Sequence, residues 1–379
     1  MSKKALLLIT IFAMAILIAT AIIITPTVGE YVISFVDNEK AVYSPDLESL
    51  TAPLLTDHEI SNFETAPKIG NPIPPGFEIE SKYLSGVFYQ NSNDVIDLAI
   101  TNSGDNAIFI YGFEIESPDS TSSYDSGYFI EAGNSRKIGL AAFEIPKGDL
   151  FSLTPYIYLL AQTDSGKWYD YGLQEFDTLD FTVAKSPEEI QATYYTNPDY
   201  YFDKVNEKVN ATDPLVRSTA VSTVREYPGK YNIYQLCSLF DYLSTNVQYV
   251  SDPHDSDYWA TPVETINTGA GDCEDYALLM ASLVEAIGGS SRIYLTDDHA
   301  FAAAYIGDAN DTEKTIEAIS EYYNSAPVYY ITDSYGSWIM LDASSGMYAG
   351  DLPTGAAPTS DGWTFINQTN VTVIDIVSD

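Results

Sequence analysis

Between residues 83 and 183 apolar side chains recur at every second position. Ile96, Leu98 and Ile100 alternate with polar or small neighbours, Asn102 to Asn106 supplies a turn, and Ile108 and Ile110 resume the alternation. A period of two marks strands with one face buried. Ile138, Leu140 and Ala142 repeat the pattern, followed by Tyr156 to Ala161 and Leu179 to Val183. About seven short strands separated by turn clusters predict an all-β Ig-like sandwich over residues 81–184. It carries no cluster of reactive side chains.

After residue 184 the period lengthens. Ser186-Pro187 is a helix start, and Asp213-Pro214 opens a second segment reaching Tyr227-Pro228. Residues 185–230 therefore read as a linker with helical pieces. A helix is expected from Asn232 to Asn246, a short strand from Val247 to Val250, and a longer helix beginning at Cys273. Ala277, Leu278, Ala281, Leu283 and Val284 give that helix a broad apolar face, and Gly288-Gly289 ends it. Strands follow near Arg292 to Leu295, Ala300 to Ile306, Val328 to Thr332 and Trp338 to Asp342. Residues 231–379 thus form an α+β unit, a helix packed on an antiparallel sheet.

The first residues follow neither period. Ala5 to Thr25 contains no charged residue and follows Lys3 and Lys4. That length and flank predict a transmembrane helix over residues 5–25, within an anchor of residues 1–28. The N-terminus would be cytoplasmic and both later domains extracellular. The rival is a cleaved signal peptide ending near Ala19-Thr-Ala21, although three isoleucines follow directly. Residues 29–80 hold Pro45, Pro53, Pro67, Pro72, Pro74 and Pro75 without a lasting period, which describes a stalk or an extended wrap.

The chain has 379 residues, more than one ordinary core needs. Its formal charge of −37 makes nucleic acid and anionic lipid headgroups poor partners, since both require clustered Lys and Arg. The two cysteines do not make a disulfide framework. Cys237 lies in an apolar helical pattern and reads as a small buried hydrophobe, with a Cys237–Cys273 bridge as the alternative. Asn210, Asn310, Asn367 and Asn370 each head an N-x-T sequon.

Reactive chemistry concentrates around Cys273. With Asp272 as N-cap, Cys273 takes the first position of its helix, where the dipole lowers a thiol pKa. A neighbouring imidazolium would lower it further, while Asp272, Glu274 and Asp275 would raise it. If Glu274 and Asp275 face away from the sulfur, dipole and imidazole prevail. Of three histidines, His58 lies in the stalk and His254 in a Pro/Asp loop, which leaves His299 at the mouth of an apolar strand. Asp342 ends another strand and can accept the second imidazole N–H. Asp333, its rival, sits in a hairpin-like Thr-Asp-Ser-Tyr-Gly.

An oxyanion would need donors besides the Cys273 N–H, and the candidates are the Trp259 indole and the Gln248 amide. Trp259 is equally a packing residue. No HExxH, CxxC, P-loop or dinucleotide fingerprint occurs, so no cofactor or metal is expected. Asp252, Asp255, Asp257, Asp297 and Asp298 lack regular calcium-ligand spacing and read as solvated loop residues.

Pro262-Val-Glu264-Thr265, Gly271-Asp272-Cys273-Glu-Asp275, His299-Ala300-Phe301 and Trp338-x-x-x-Asp342 occur in that order. In this the chain resembles the transglutaminase-like superfamily of papain-type cysteine enzymes, of a membrane-anchored prokaryotic type, across roughly Asn232 to Asp342. Two departures stand out: residues 308–327 look inserted, and Phe301 replaces a more usual Trp. The resemblance implies a papain-like core and a Cys273-His299-Asp342 triad. It implies attack on an amide of a protein or peptide at the cell surface, through a thioester. Hydrolysis by a peptidase or amidase is the preferred outcome. Cross-linking to amines and a non-catalytic scaffold are the alternatives.

Overall fold

Alternation in the sequence becomes eight strands. The computed structural model describes residues 63–71, 73–185, 187, 192–252, 258–308, 312–359, 362–366 and 368–377. Strands β1 (Ile79–Ser85), β2 (Asn93–Asn102) and β5 (Ser135–Glu144) form one antiparallel sheet. Strands β3 (Ile108–Glu116), β4 (Thr121–Ile130), β6 (Leu150–Gln162) and β7 (Trp168–Glu175) form the other, in the order β4-β3-β6-β7, and β8 (Leu179–Thr182) pairs with β6. Ile96, Leu98 and Ile100 are fully buried in one core with Ile110, Ile157 and Leu159 of the facing sheet.

The polar half of the β2 alternation is covered too. Val95 belongs to the core of the second domain, and buried Asp97 meets Lys137 at 2.5 Å. A strand buried on both faces is expected where another layer packs against a sheet.

That layer is the C-terminal domain. It comprises β9 (Thr193–Thr196), α1 (Asp199–Lys208), α2 (Pro214–Thr223), α3 (Ile233–Asn246), β10 (Gln248–Tyr249), α4 (Pro262–Thr268), β11 (Ala270–Gly271) and α5 (Cys273–Ala286). Then come β12 (Ser291–Leu295), β13 (Ala300–Gly307), α6 (Thr312–Tyr322), β14 (Tyr330–Thr332), β15 (Ser337–Leu341), β16 (Ala356–Thr359), β17 (Gly362–Phe365) and β18 (Asn370–Asp375). Six strands make the main sheet in the order β14-β15-β13-β12-β18-β9. All its pairs are antiparallel except β18–β9. Helix α5 packs its apolar residues on this sheet, with Leu279, Met280, Leu283 and Val284 fully buried.

Local sequence explains the helix starts. Asp213 caps α2 by accepting the Leu215 N–H at 2.8 Å, and Pro214 fits the first turn because its missing N–H would have no helical partner. Asn232 and Gln235 form a reciprocal capping box on α3. The stretch 185–230, expected as a linker, is built into the domain instead. Strand β9 closes the sheet edge, and Val216 and Ala220 of α2 join the main core. The inserted stretch contains α6, whose end bridges the domains: Tyr322 and Tyr323 hydroxyls donate to Asp241 of α3, and the Asn324 amide donates to Leu140 O of β5.

Cys237 is fully buried and both cysteines are free, so the Cys237–Cys273 bridge is not formed. The helix expected at 5–25, most of the stalk, and the start at Ser186 lie outside the described residues. Among the described residues no helix is long and apolar enough to cross a membrane.

Candidate functional site

Each position of the Gly-Asp-Cys-Glu-Asp stretch has a structural reason. Asp272 is the N-cap of α5 and leaves Cys273 on the first turn, as expected. The Asp272 N–H donates back to Asp275 Oδ2 at 3.4 Å, while Asp275 Oδ1 accepts the Ala260 N–H at 2.6 Å. Asp275 therefore ties the helix start to the loop before α4. A Cβ on Gly271 would fall 2.7 Å from the Asp275 Cβ, so this approach requires glycine. The Cys273 N–H belongs to the first helical turn, whose donors have no partner inside the helix.

His299 sits at the turn between β12 and β13, where its carbonyl accepts the Thr296 N–H at 2.8 Å. Asp342 directly follows β15, which runs antiparallel to β13 with Ala302 opposite Leu341. The register thus brings the start of one strand beside the end of the other. His299 Nε2 lies 2.7 Å from Asp342 Oδ2. The same carboxylate accepts the Ser344 hydroxyl at 2.7 Å, the Ser345 hydroxyl at 2.7 Å and the Thr354 N–H at 3.0 Å. Burial alone would raise the Asp342 pKa, but the bonds from His299, Ser345 and Ser344 and the imidazole charge hold it below its usual value. Gly346 closes the turn by donating to Asp342 O at 2.7 Å, and a Cβ there would sit 2.8 Å from that oxygen.

The sulfur lies in a setting opposite to the expected one. Burial, then a hydrogen bond to Glu274 Oε2 at 3.1 Å with the charge of that carboxylate, pushes the Cys273 thiol up to about 12. Glu274 does not face away: its carboxylate accepts a hydrogen bond from the Cys273 thiol. The dipole and imidazole therefore do not prevail in this resting arrangement. The Ala300 backbone N–H works the other way, favouring the thiolate. Because Ala300 follows His299, this contact brings the sulfur to the mouth of β13. Nε2 is engaged by Asp342, while the thiol donates to Glu274.

Of the two oxyanion candidates, Trp259 is buried in the apolar cluster that also receives Cys273, Ala277 and Ala300. Its ring lies under Lys204 Nζ at 3.6 Å and its carbonyl accepts Lys208 Nζ at 2.5 Å. Gln248 is exposed on β10, paired with Ala270 three positions before Cys273. Asp333 holds the β14–β15 hairpin loop as expected, and it also pairs with buried Arg292.

The acidic loop residues separate. Asp297 accepts from Thr369 and Asn370, bonds that lower its pKa to about 2, and Asp298 accepts the Gln368 amide at 2.6 Å. Asp252 instead joins Asp272 and Glu274, with one oxygen of each within 4.8 Å of the others. Asp255, Asp257 and His254 lie outside the described residues. Sequence reasoning missed Glu274 as a partner of the thiol and Ser344, Ser345 and Thr354 as holders of Asp342. The turn itself was legible, since an Asp side chain commonly accepts a hydrogen bond from the backbone two residues on.

A family model described as the transglutaminase-like superfamily matches residues 217–343. Among solved structures the chain is similar to a proposed cysteine protease from Cytophaga hutchinsonii, 14% identical, with 80% of this chain and 91% of that one covered at a TM-score of 0.26. It is also similar to a proposed protease from Parabacteroides distasonis, 9% identical, with 59% and 65% covered at a TM-score of 0.25. Among curated proteins none matches the chain significantly.

Proposed function

We propose that this chain, whose C-terminal domain belongs to the transglutaminase-like superfamily, is a cysteine enzyme that cleaves amide bonds through Cys273, His299 and Asp342. The observation that carries the reading is the 2.7 Å contact between His299 Nε2 and Asp342 Oδ2, made beside the Cys273 helix start. Asp342 fixes the ring so that Nδ1 takes the thiol proton as sulfur attacks the amide carbonyl. The Cys273 N–H and the Trp259 indole are the proposed donors to the oxyanion. Collapse forms the thioester and breaks the C–N bond, and the imidazolium returns its proton to the leaving amine. Water, deprotonated by the imidazole, then attacks the thioester and releases acid and thiol.

Burial and the Glu274 carboxylate favour the protonated thiol, so displacement of Glu274 by substrate would favour attack. That same fact favours a second reading, a non-catalytic module that retains the constellation as structure. We further propose that the β-rich region is an Ig-like spacer, with residues 5–25 as the membrane anchor of an extracellular enzyme acting on protein or peptide.

The test is cleavage of a peptide library by wild type, Cys273→Ala and His299→Ala, with products weighed with and without a primary amine. Hydrolysis products lost in both variants support the peptidase or amidase. Amine adducts in place of free acid support a transferase. Equal behaviour of all three proteins supports the scaffold.

A further inference from the structure

The outer face of the β4-β3-β6-β7 sheet carries an open cavity of about 490 Å³. A register shift in β3 shapes it. Ile108 and Ile110 face the core before the shift and Phe113 and Ile115 after it, so Tyr111 and Gly112 both fall on the outer side. Bulges of this kind re-aim side chains. Gly112 leaves the floor bare, because a Cβ there would stand 3.2 Å from the Tyr158 ring and 3.2 Å from Tyr124 O. Tyr111 and Tyr158 line the cavity with ring centroids 5.4 Å apart, and Glu114, Ser123 and Asp125 complete the lining. The Tyr158 hydroxyl donates to Glu114 at 2.6 Å and the Tyr111 hydroxyl to Asp170 at 2.9 Å. Among the described residues, no Lys or Arg lies within ion-pair distance of Glu114, Asp125 or Asp170.

Twice elsewhere this chain sets an arginine on an aromatic ring and ties it to carboxylates. Arg136 Cζ lies 4.3 Å over the Tyr128 ring while its Nη1 meets Glu64 at 3.2 Å. Arg292 Cζ lies 3.8 Å over the Trp338 ring, between Asp333 and Asp375. At the β3 cavity the rings and the carboxylates are in place, and among the described residues no arginine of the chain joins them. We infer that this cavity binds the guanidinium of an arginine carried by a basic peptide segment of a partner. A ring face attracts a cation, and a carboxylate takes the planar guanidinium through its forked N–H donors. A carboxylate accepts several hydrogen bonds, so Glu114 can hold the Tyr158 hydroxyl and a guanidinium N–H together. The formal charge of −37 adds a long-range pull on such a ligand. The site is independent of whether the chain cleaves amides.

Fluorescence anisotropy of a labelled tetra-arginine peptide tests it, at physiological ionic strength to screen diffuse attraction to so acidic a protein. Every titration uses the full chain carrying Cys273→Ala, so the peptide stays intact whatever the chain does to amides. That chain should bind the peptide saturably, and a tetra-citrulline peptide, similar in shape but uncharged, should not bind. Adding Glu114→Gln or Tyr111→Leu should weaken binding by about threefold to fivefold, the size of one exposed cation–π or ion-pair contact. Glu80→Gln removes the same charge from exposed β1 of the other sheet and should leave the affinity unchanged. Gln can still accept the Tyr158 hydroxyl, so Glu114→Gln should keep the sheet. If Tyr111→Leu does not fold, Asp125→Asn, exposed on β4, should show the same loss. The absence of saturable binding, or equal affinity in Glu114→Gln and Glu80→Gln, overturns the site and leaves only diffuse attraction. Equal binding of tetra-citrulline overturns recognition of charge, and equal binding of tetra-lysine overturns the guanidinium in favour of any cation.

Discussion

Two groups of buried or half-buried carboxylates in the same domain are treated in opposite ways. On β12, Arg292 lies between Asp333 and Asp375, at 2.5 Å from the latter, with its guanidinium 3.8 Å over the Trp338 ring. A permanent cation settles those charges, and all three side chains are at most 2% exposed. At the start of α5 the carboxylates of Asp272, Glu274 and Asp275 meet backbone donors, a thiol and each other. Burial pushes Glu274 up to about 7 and Asp275 up to about 6. The first group is a closed ion cluster whose role ends with the fold. The second titrates nearer neutrality than ordinary carboxyls do, close to a nucleophile, which is the condition acid-base chemistry needs. His299–Asp342 stands between these extremes, a fully bonded carboxylate serving a titratable ring.

Substitutions should separate the two groups by what they damage. The largest effect is expected from Asp342→Asn. It keeps the turn but favours the wrong imidazole tautomer, and kcat should fall by about 10,000-fold, as in the Ser-His-Asp template. A loss under about tenfold in steady-state kinetics would reduce Asp342 to a turn residue, since the tautomer argument requires far more. Next comes Arg292→Met, which strands Asp333 and Asp375 without their cation. Urea unfolding should show a loss of about 3–5 kcal/mol, while the activity of the folded fraction stays unchanged. A drop in kcat at full folding would break the division between the clusters.

The smallest effect concerns the domain interface. Burial, with the Asp351 charge nearby, raises Asp94 to about 7 from 3.8. A carboxyl whose pKa is raised by folding stabilises the protonated fold. That contribution is complete below about pH 4 and disappears as pH rises through about 7. Asp351, raised by burial to about 6, acts in the same sense. The melting temperature should therefore decline from pH 5 to pH 8, and Asp94→Asn should reduce the decline by about 2 °C. An equal decline in both proteins would remove Asp94 from the account.

Much of this was legible because local signals agreed with the fold. The β2 alternation and the helix starts at Asp213-Pro214, Asn232 and Asp272-Cys273 are all local, and all reappear in the structure. What stayed hidden depends on distant partners. Strand β9 is four residues long and gains its meaning only from pairing with β18, far along the chain. Arg292 looks like an ordinary strand residue until β15 and β18 bring Trp338, Asp333 and Asp375 around it. The burial that lifts the Cys273 thiol is likewise a tertiary fact: from sequence, position on a helix predicts the dipole but not the return of Glu274.

The central claim is that Cys273 becomes an acylated nucleophile with His299 as its base. The most direct test is mass spectrometry of the protein quenched in acid during turnover of an activated acyl donor. The account predicts an acyl adduct on Cys273 in wild type, none on Cys237, and none within the same time in His299→Ala. An unmodified Cys273 in wild type, or equal acylation of Cys273 with and without His299, would contradict it.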